Sequence, residues 1–180
     1  MKALIVVDMQ HDFIDGALGS AEARMIVEKV AEKVKQYNED PGAVIIYTRD
    51  THDEHYMDSF EGQRLPVMHC IENTPGWEIV SEVFVEGPNV NIIDKNTFGH
   101  RNIARIVHDF VACCLESFEV ESIELCGVCT DICVVSNAML IKSVYMDTPI
   151  IVDSACCAGT TPENHQAALT VMRSCQIDVI

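Results

Sequence analysis

The sequence predicts an α/β fold, a doubly wound three-layer α/β/α arrangement around a six-stranded, mostly parallel sheet. Three observations carry this reading. Short unbroken apolar runs such as ALIVV at Ala3–Val7 recur along the chain, as expected of strands covered on both faces. Stretches with helical spacing separate them, so strand and helix alternate throughout. Polar residues, among them Asp8 and Lys95, stand where the runs stop, and open parallel sheets gather ligands at the carboxyl ends of their strands.

The elements follow in order. Ala3–Val7 is the first strand and ends in Asp8. Ala21–Tyr37 has helical spacing, with Met25, Ile26, Val30 and Val34 on one side, and Asn38–Gly42 supplies the stop. Ala43–Thr48 is the second strand, followed by Arg49 and Asp50. Thr51–Trp77 is a long polar loop, and loops of that length in compact domains usually carry function. Glu78–Val85 reads as a short helix or strand, and Val90–Ile93 as the third strand, ending in Asp94 and Lys95. Asn102–Phe118 is helical, with Ile103, Ile106, Val107, Phe110, Val111 and Cys114 forming a broad apolar face. Ser122–Cys126 is the fourth strand; it enters a glycine-bearing turn and a helix that runs to about Ser143, with Thr130 as its N-cap. Pro149–Val152 is the fifth strand, Asp153–Thr161 a loop, and Gln176–Ile180 the sixth strand. Between the last two, Pro162 suits the first helical position, with Thr161 as the cap. With no internal repeat or linker, residues 1–180 read as one domain.

Composition narrows the function. Apolar residues make up 48% of the chain, which excludes disorder, yet no run reaches membrane-spanning length. The first residues pass straight into a strand pattern, so no signal peptide is expected and the location reads as cytoplasmic. Nine cysteines, several in apolar contexts such as Cys113, Cys114 and Cys126, fit free thiols in a reducing compartment. A formal charge of −16 argues against nucleic acid and anionic membranes as partners.

Two constellations carry chemistry. Cys133 falls near the start of a helix, where unpaired N–H groups and the dipole favour an anion, so it is expected to lean toward thiolate and act as a nucleophile. Lys95 would lower the thiol pKa, and Asp8 could take the thiol proton and return it to a leaving amine. Backbone N–H groups of Cys129 and Cys133 could hold an oxyanion, on a turn kept rigid by Gly127. Cys126 and Cys129 spell C-x-x-C, but Cys126 lies inside the apolar strand, which speaks against a redox pair. The second constellation starts at Asp50 and His52, which point the same way at a strand end. Glu61 and His69 follow in the loop, and oxygen and nitrogen donors of this kind suit Zn, Mn or Fe. His55 reads as a surface residue.

The chain resembles the isochorismatase-like cysteine hydrolases, and among them the nicotinamidases. The resemblance covers nearly the whole length and rests on DMQHDF at Asp8–Phe13, RDTH at Arg49–His52, LPVMHC at Leu65–Cys70, DKNTF at Asp94–Phe98, GVCTDICV at Gly127–Val134 and TPENHQAAL at Thr161–Leu169. It implies the isochorismatase-like hydrolase fold, a catalytic triad of Asp8, Lys95 and Cys133, and a cis peptide between Val128 and Cys129. It further implies a divalent metal (Zn, Mn or Fe) on Asp50, His52 and His69, with Glu61 aligned across one gap to a carboxylate that some members add. Phe13, Phe98 and Leu65 become pocket walls. Where Cys129 stands the family commonly has alanine, and only its backbone is used. The implied reaction is hydrolysis of nicotinamide, a small-molecule amide, through a cysteine thioester, by a protein that forms homo-oligomers. The alternatives are another amide or carbamoyl substrate, isochorismate, or a non-catalytic thiol- or metal-binding domain.

Overall fold

The structure is a computed structural model that describes every residue except Glu116, Ser117 and Phe118, and all side chains of the others except that of Leu115. Among the described residues, six strands form one all-parallel sheet in the order β3-β2-β1-β4-β5-β6. The strands are β1 (Lys2–Val7), β2 (Ala43–Asp50), β3 (Val90–Lys95), β4 (Ser122–Val128), β5 (Ile150–Ala158) and β6 (Asp178–Val179). The direction of winding reverses between β1 and β4, which makes a crevice at their carboxyl ends.

The helices α1 (His11–Ile14), α2 (Ala21–Glu39), α3 (Ile103–Leu115), α4 (Val135–Lys142) and α5 (Pro162–Ser174) cover the sheet. α2 lies over β1, β2, β4 and β5, while α3, α4 and α5 pack beside one another, on the opposite face as right-handed crossovers require. α2 begins at Ser20, whose hydroxyl accepts from Ala23 N, and buries Ala23, Ile26, Val30 and Val34. Met25, expected on that face, is 68% exposed, because the buried stripe follows positions 23, 26, 30 and 34. α5 starts as its sequence indicates, with Pro162 in its first turn and the Thr161 hydroxyl accepting from Asn164 N.

Two expectations need correction. Glu78–Val85 forms neither helix nor strand; it crosses β1's carboxyl end through an isolated antiparallel bridge of Ile79 with Gln10. Asp153–Ala158, read as loop, belongs to β5. The Asp153 carboxylate accepts from Ala155 N, a local turn that shifts the β4–β5 register between Leu125 and Gly127 before pairing resumes at Cys157 and Ala158. Such a bulge breaks the apolar run that marks a strand. α3, Ile103–Leu115, lies within the helix expected over Asn102–Phe118, of which Glu116–Phe118 lie outside the described residues. No helix among the described residues is long and apolar enough to cross a membrane.

One charged cluster sits between the sheet and α2. Lys33 forms ion pairs with Glu124 of β4 and with Asp153 of β5, the latter at 2.8 Å, and the Tyr37 hydroxyl donates to Glu124 at 2.7 Å. Burial opposes both charges, but the bonds to Asp153 and Glu124 still raise the pKa of Lys33, and Lys33 in turn holds Asp153 below the usual carboxylate range. The substitution Lys33→Met leaves two carboxylates without their cation and should cost roughly 2–4 kcal/mol of stability at neutral pH. Asp153 has its folded pKa below the unfolded value of about 3.9, so its contribution is full above that value and fades as pH falls through the folded one. Urea midpoints of wild type and K33M should therefore converge on acidification toward about pH 3; a gap that widens in acid would contradict the assignment.

Candidate functional site

Parallel strands bring residues distant in sequence to one edge. Asp8 follows β1, Asp50 and Lys95 end β2 and β3 as register partners, and Gly127 and Val128 end β4 just before Cys129. Asp8 has φ of 51°, a left-handed conformation that Asp tolerates better than most residues, and its backbone N–H donates to Thr48 O. Gly127 has φ of +115°, and a Cβ there would lie 2.1 Å from Val7 O. Only glycine allows β1 and β4 to approach so closely where the site forms.

Asp8, Lys95 and Cys133 converge. Lys95 Nζ lies 2.7 Å from Asp8 Oδ2, 3.4 Å from Asp50 Oδ1 and 3.7 Å from Cys133 Sγ. The side chains of Asp8 and Lys95 are fully buried, and Cys133 is 5% exposed. Asp8 Oδ1 accepts from the Thr48 hydroxyl at 2.6 Å. Oδ2 contacts the ammonium closely but outside hydrogen-bonding angles, so it keeps acceptor capacity for a proton. Burial raises the Asp8 pKa against the pull of Lys95. Burial alone would lower that of Lys95, but the charge of Asp8 raises it, so the amine stays protonated.

The thiol differs from expectation. Burial, and then the charge of Asp8, push Cys133 well above an ordinary cysteine, with Lys95 opposing, so Cys133 rests as a thiol. Nor does Thr130 cap a helix. Cys129 occupies the N-cap position and Thr130–Val134 form a wider π turn ahead of α4. The Thr130 hydroxyl is bonded to His165 Nδ1 at 2.8 Å, and Asp131 accepts from the backbone and hydroxyl of Thr160. Both side chains are thus committed to α5 and the segment before it, and the first turn opens. The Cys129 carbonyl accepts from Ile132 N and Val134 N, and the Val128–Cys129 peptide is cis. Cys126 is buried within β4, and neither it nor any other cysteine forms a disulfide.

Asp50, His52, Glu61 and His69 form the second group, with one ligand atom from each lying within 4.8 Å of the others. His52 Nε2 is 3.0 Å and His69 Nε2 3.6 Å from Asp50 Oδ2. His69 Nδ1 is bonded to Val67 O at 2.8 Å, the outer-shell bond that fixes an imidazole for ligation. Burial would raise the pKa of Asp50, but its bonds to both histidines and the charge of Lys95 hold it low. Two carboxylates and two imidazoles so placed fit a divalent ion of the zinc, manganese or iron type. His55 stays out, with its side chain 72% exposed.

Several residues that build the site escaped the sequence reading. Gln10, fully buried, donates to Asp50 O and Trp77 O, both at 2.8 Å, and accepts from Asp50 N at 2.7 Å. Asp12 accepts from Cys70 N at 2.7 Å and so fixes the chain beside His69. The Tyr56 ring packs on His52 and His69, with its hydroxyl donating to Leu65 O. The available signal was positional: Gln10 and Asp12 stand inside the DMQHDF segment that marks the resemblance. A cavity of about 1080 Å³ opens over both groups. Cys133, Cys129, Asp50, His52, Glu61 and His69 reach it, and Phe13, Leu65 and Phe98 line it.

Fold and site together define a class, an α/β protein with a buried acid–amine–thiol trio beside a metal-type donor group. A family model, the isochorismatase domain, matches residues 2–180, and the chain belongs to that family. It is 24% identical over 196 residues to the nicotinamidase/pyrazinamidase of Mycobacterium tuberculosis, covering 100% of this chain and 98% of the relative. Among solved structures it resembles the pyrazinamidase of Pyrococcus horikoshii in complex with zinc, with a TM-score of 0.82, 32% identity and coverage of 99% of this chain and 98% of the other. It also resembles the nicotinamidase of Bacillus subtilis, with a TM-score of 0.79, 26% identity and coverage of 99% and 98%.

Loss of an outer-shell partner typically costs 10–100-fold in metal affinity, so if this group holds a metal, removing a member of it in His69→Ala should cost more than about 100-fold. Zinc competition titration against a chelating dye measures this, and an unchanged affinity would exclude the group as a metal site.

Proposed function

We propose that the protein hydrolyses nicotinamide to nicotinate and ammonia, acting as a cysteine amidohydrolase. The observation that carries this reading is the shared cavity: the Cys133 thiol and the Asp50–His52–Glu61–His69 group open onto one space walled by Phe13, Phe98 and Leu65. A flat ring with a donor atom on one side and a carboxamide on the other suits that arrangement. Full-length similarity to proteins named nicotinamidase supports the same substrate.

The residue roles follow from the geometry. Cys133 Sγ attacks the carboxamide carbon as its proton passes to Asp8 Oδ2, whose raised pKa makes it a competent acceptor. Lys95, held between Asp8 and the sulfur, balances the one negative charge that moves between them. Backbone N–H groups of Cys129 and Cys133 take the oxyanion role. The C–N bond breaks, Asp8 returns its proton to the amine, and ammonia leaves behind a thioester. A water molecule, deprotonated by Asp8, then cleaves the thioester and restores the thiol. A zinc, manganese or iron ion on Asp50, His52, Glu61 and His69, when bound, supplies an electrophilic anchor for the ring and so orients the carboxamide.

A related amide or carbamoyl substrate would use the same residues. A doubly anionic substrate such as isochorismate fits less well. Among the described residues, Arg64 is the only Arg or Lys side chain on the cavity wall, and its guanidinium is stacked over the Phe60 ring. The reading includes one catalytic domain over residues 1–180, a cytoplasmic location and homo-oligomer formation, the last checked by sedimentation.

The metal-replete protein should release ammonia from nicotinamide, and Cys133→Ala and Asp8→Asn should each lower kcat/KM by roughly a thousandfold or more with the fold retained by circular dichroism. Absence of turnover by the metal-replete wild type on nicotinamide, with turnover of another amide, would reassign the substrate. Full activity in C133A would remove the nucleophile.

A further inference from the structure

Phe98 is half exposed, yet it is to serve as a wall for a flat ring. It lies on the turn Asn96–His100 that follows Lys95, so something other than its own burial must hold it. One side chain does so. Asn137, in α4 and fully buried, accepts from His100 N through Oδ1 at 3.0 Å. Its Nδ2 donates to Cys133 O at 2.9 Å and to Phe98 O at 3.4 Å. A single amide thus ties the segment that carries Phe98 to the turn that carries the sulfur. Gly99 gives independent evidence of the docking: a Cβ there would lie 2.8 Å from Leu140 Cδ1 and 3.1 Å from Ser136 in the same helix. The turn is seated directly on α4, where a side chain at position 99 would have to displace the Leu140 methyl and press on Ser136.

We propose that Asn137 is a positioning residue that sets substrate selectivity, by fixing Phe98 at a set distance from Cys133. This rests on the reading of the site as one for an aromatic carboxamide. The residue touches no reacting atom; it acts through Phe98. An aliphatic or acidic side chain cannot replace it, because the site demands one acceptor for His100 N and one donor for Cys133 O at the same place.

A double-mutant cycle tests the proposal. Asn137→Ala should raise KM for nicotinamide about 3- to 10-fold, the worth of one well-placed aromatic contact, with a smaller change in kcat. Phe98→Ala should raise KM comparably, and the double variant should be no worse than F98A alone, since both remove the same wall. Multiplicative effects, or a fall in kcat with KM unchanged, would overturn the proposal and place the role of Asn137 at the Cys133 carbonyl. Hydrogen exchange separates this from the substrate assignment. The His100 amide should exchange at least about fivefold faster in N137A, as expected for the loss of one net hydrogen bond, whether or not nicotinamide is turned over, and unchanged protection would refute the tie. Should N137A not fold, Gly99→Ala disturbs the same seat from the other side. It should raise KM without compounding F98A, and compounding would count against the proposal.

Discussion

The constraint on which the structure depends is the ammonium of Lys95, buried with no solvent contact at the meeting of three strand ends. A charge of that kind costs several kcal/mol to desolvate unless it is paired in good geometry. Asp8 and Asp50 supply the pairing, Asp50 from the end of β2 beside β3 and Asp8 from the residue just after β1, the next strand in the sheet. Neither can shift without exposing the other's partner. The register of β1, β2 and β3 is therefore fixed at this edge by electrostatics as well as by the apolar rows beneath it. Lys95 also couples the two halves of the site, since the same nitrogen faces the thiol on one side and the donor group at Asp50 on the other.

Around that pair the polar side chains act chiefly on backbone. Gln10 grips both the N–H and the carbonyl of Asp50, Asp12 holds the N–H of Cys70, and Asn137 joins two loops through one amide. Gln10 and Asp12 help to hold a long segment, residues 51–89, as a fixed wall whose one helical element is the 3-10 turn Tyr56–Asp58. Buried loop backbone must find partners somewhere, and here the short segment after β1 provides them. This gives the DMQHDF segment a physical meaning: Asp8 faces the sulfur, Gln10 and Asp12 clamp the two stretches that present Asp50 and His69, and the Phe13 ring lies against His69.

Much of this was legible beforehand, and the misses have physical causes. Parallel strands covered on both faces write themselves as apolar runs, so all six were visible, with β2 and β3 stopping short because their last residues are polar ones at the site, and β4 because Gly127 reads as a turn. β5 was truncated at Asp153 because a bulge interrupts its apolar character. Asp8, Lys95 and Cys133 could be placed together because parallel topology sends every strand's end to one edge. Asn137, Tyr56 and Thr48 could not, because their roles depend on contacts made across the fold and nothing local distinguishes them from packing residues. The capping signal at Thr130 misled for a related reason: its hydroxyl is drawn away by His165, a residue of α5.

The state of the thiol follows from the same charge balance. A low thiol pKa was expected from a helix start and a nearby lysine, but both arguments presume that the lysine's charge is available to sulfur. Here it is already engaged by a carboxylate at 2.7 Å, while sulfur stands at 3.7 Å. A second anion beside Asp8 would leave the trio with a net buried negative charge, so sulfur keeps its proton while Asp8 lacks one. The two anions exclude each other, and Lys95 can balance either. Proton transfer from Cys133 to Asp8 therefore changes no net charge in the buried trio and requires no large rearrangement of the surrounding dipoles. A resting thiol in this setting is compatible with nucleophilic attack, because sulfur acquires its charge only as its proton moves and passes it on as the new bond forms. The demand on the protein is then geometric: the carboxylate, the amine and the sulfur must remain within one proton's reach, and the paired strand ends hold them there.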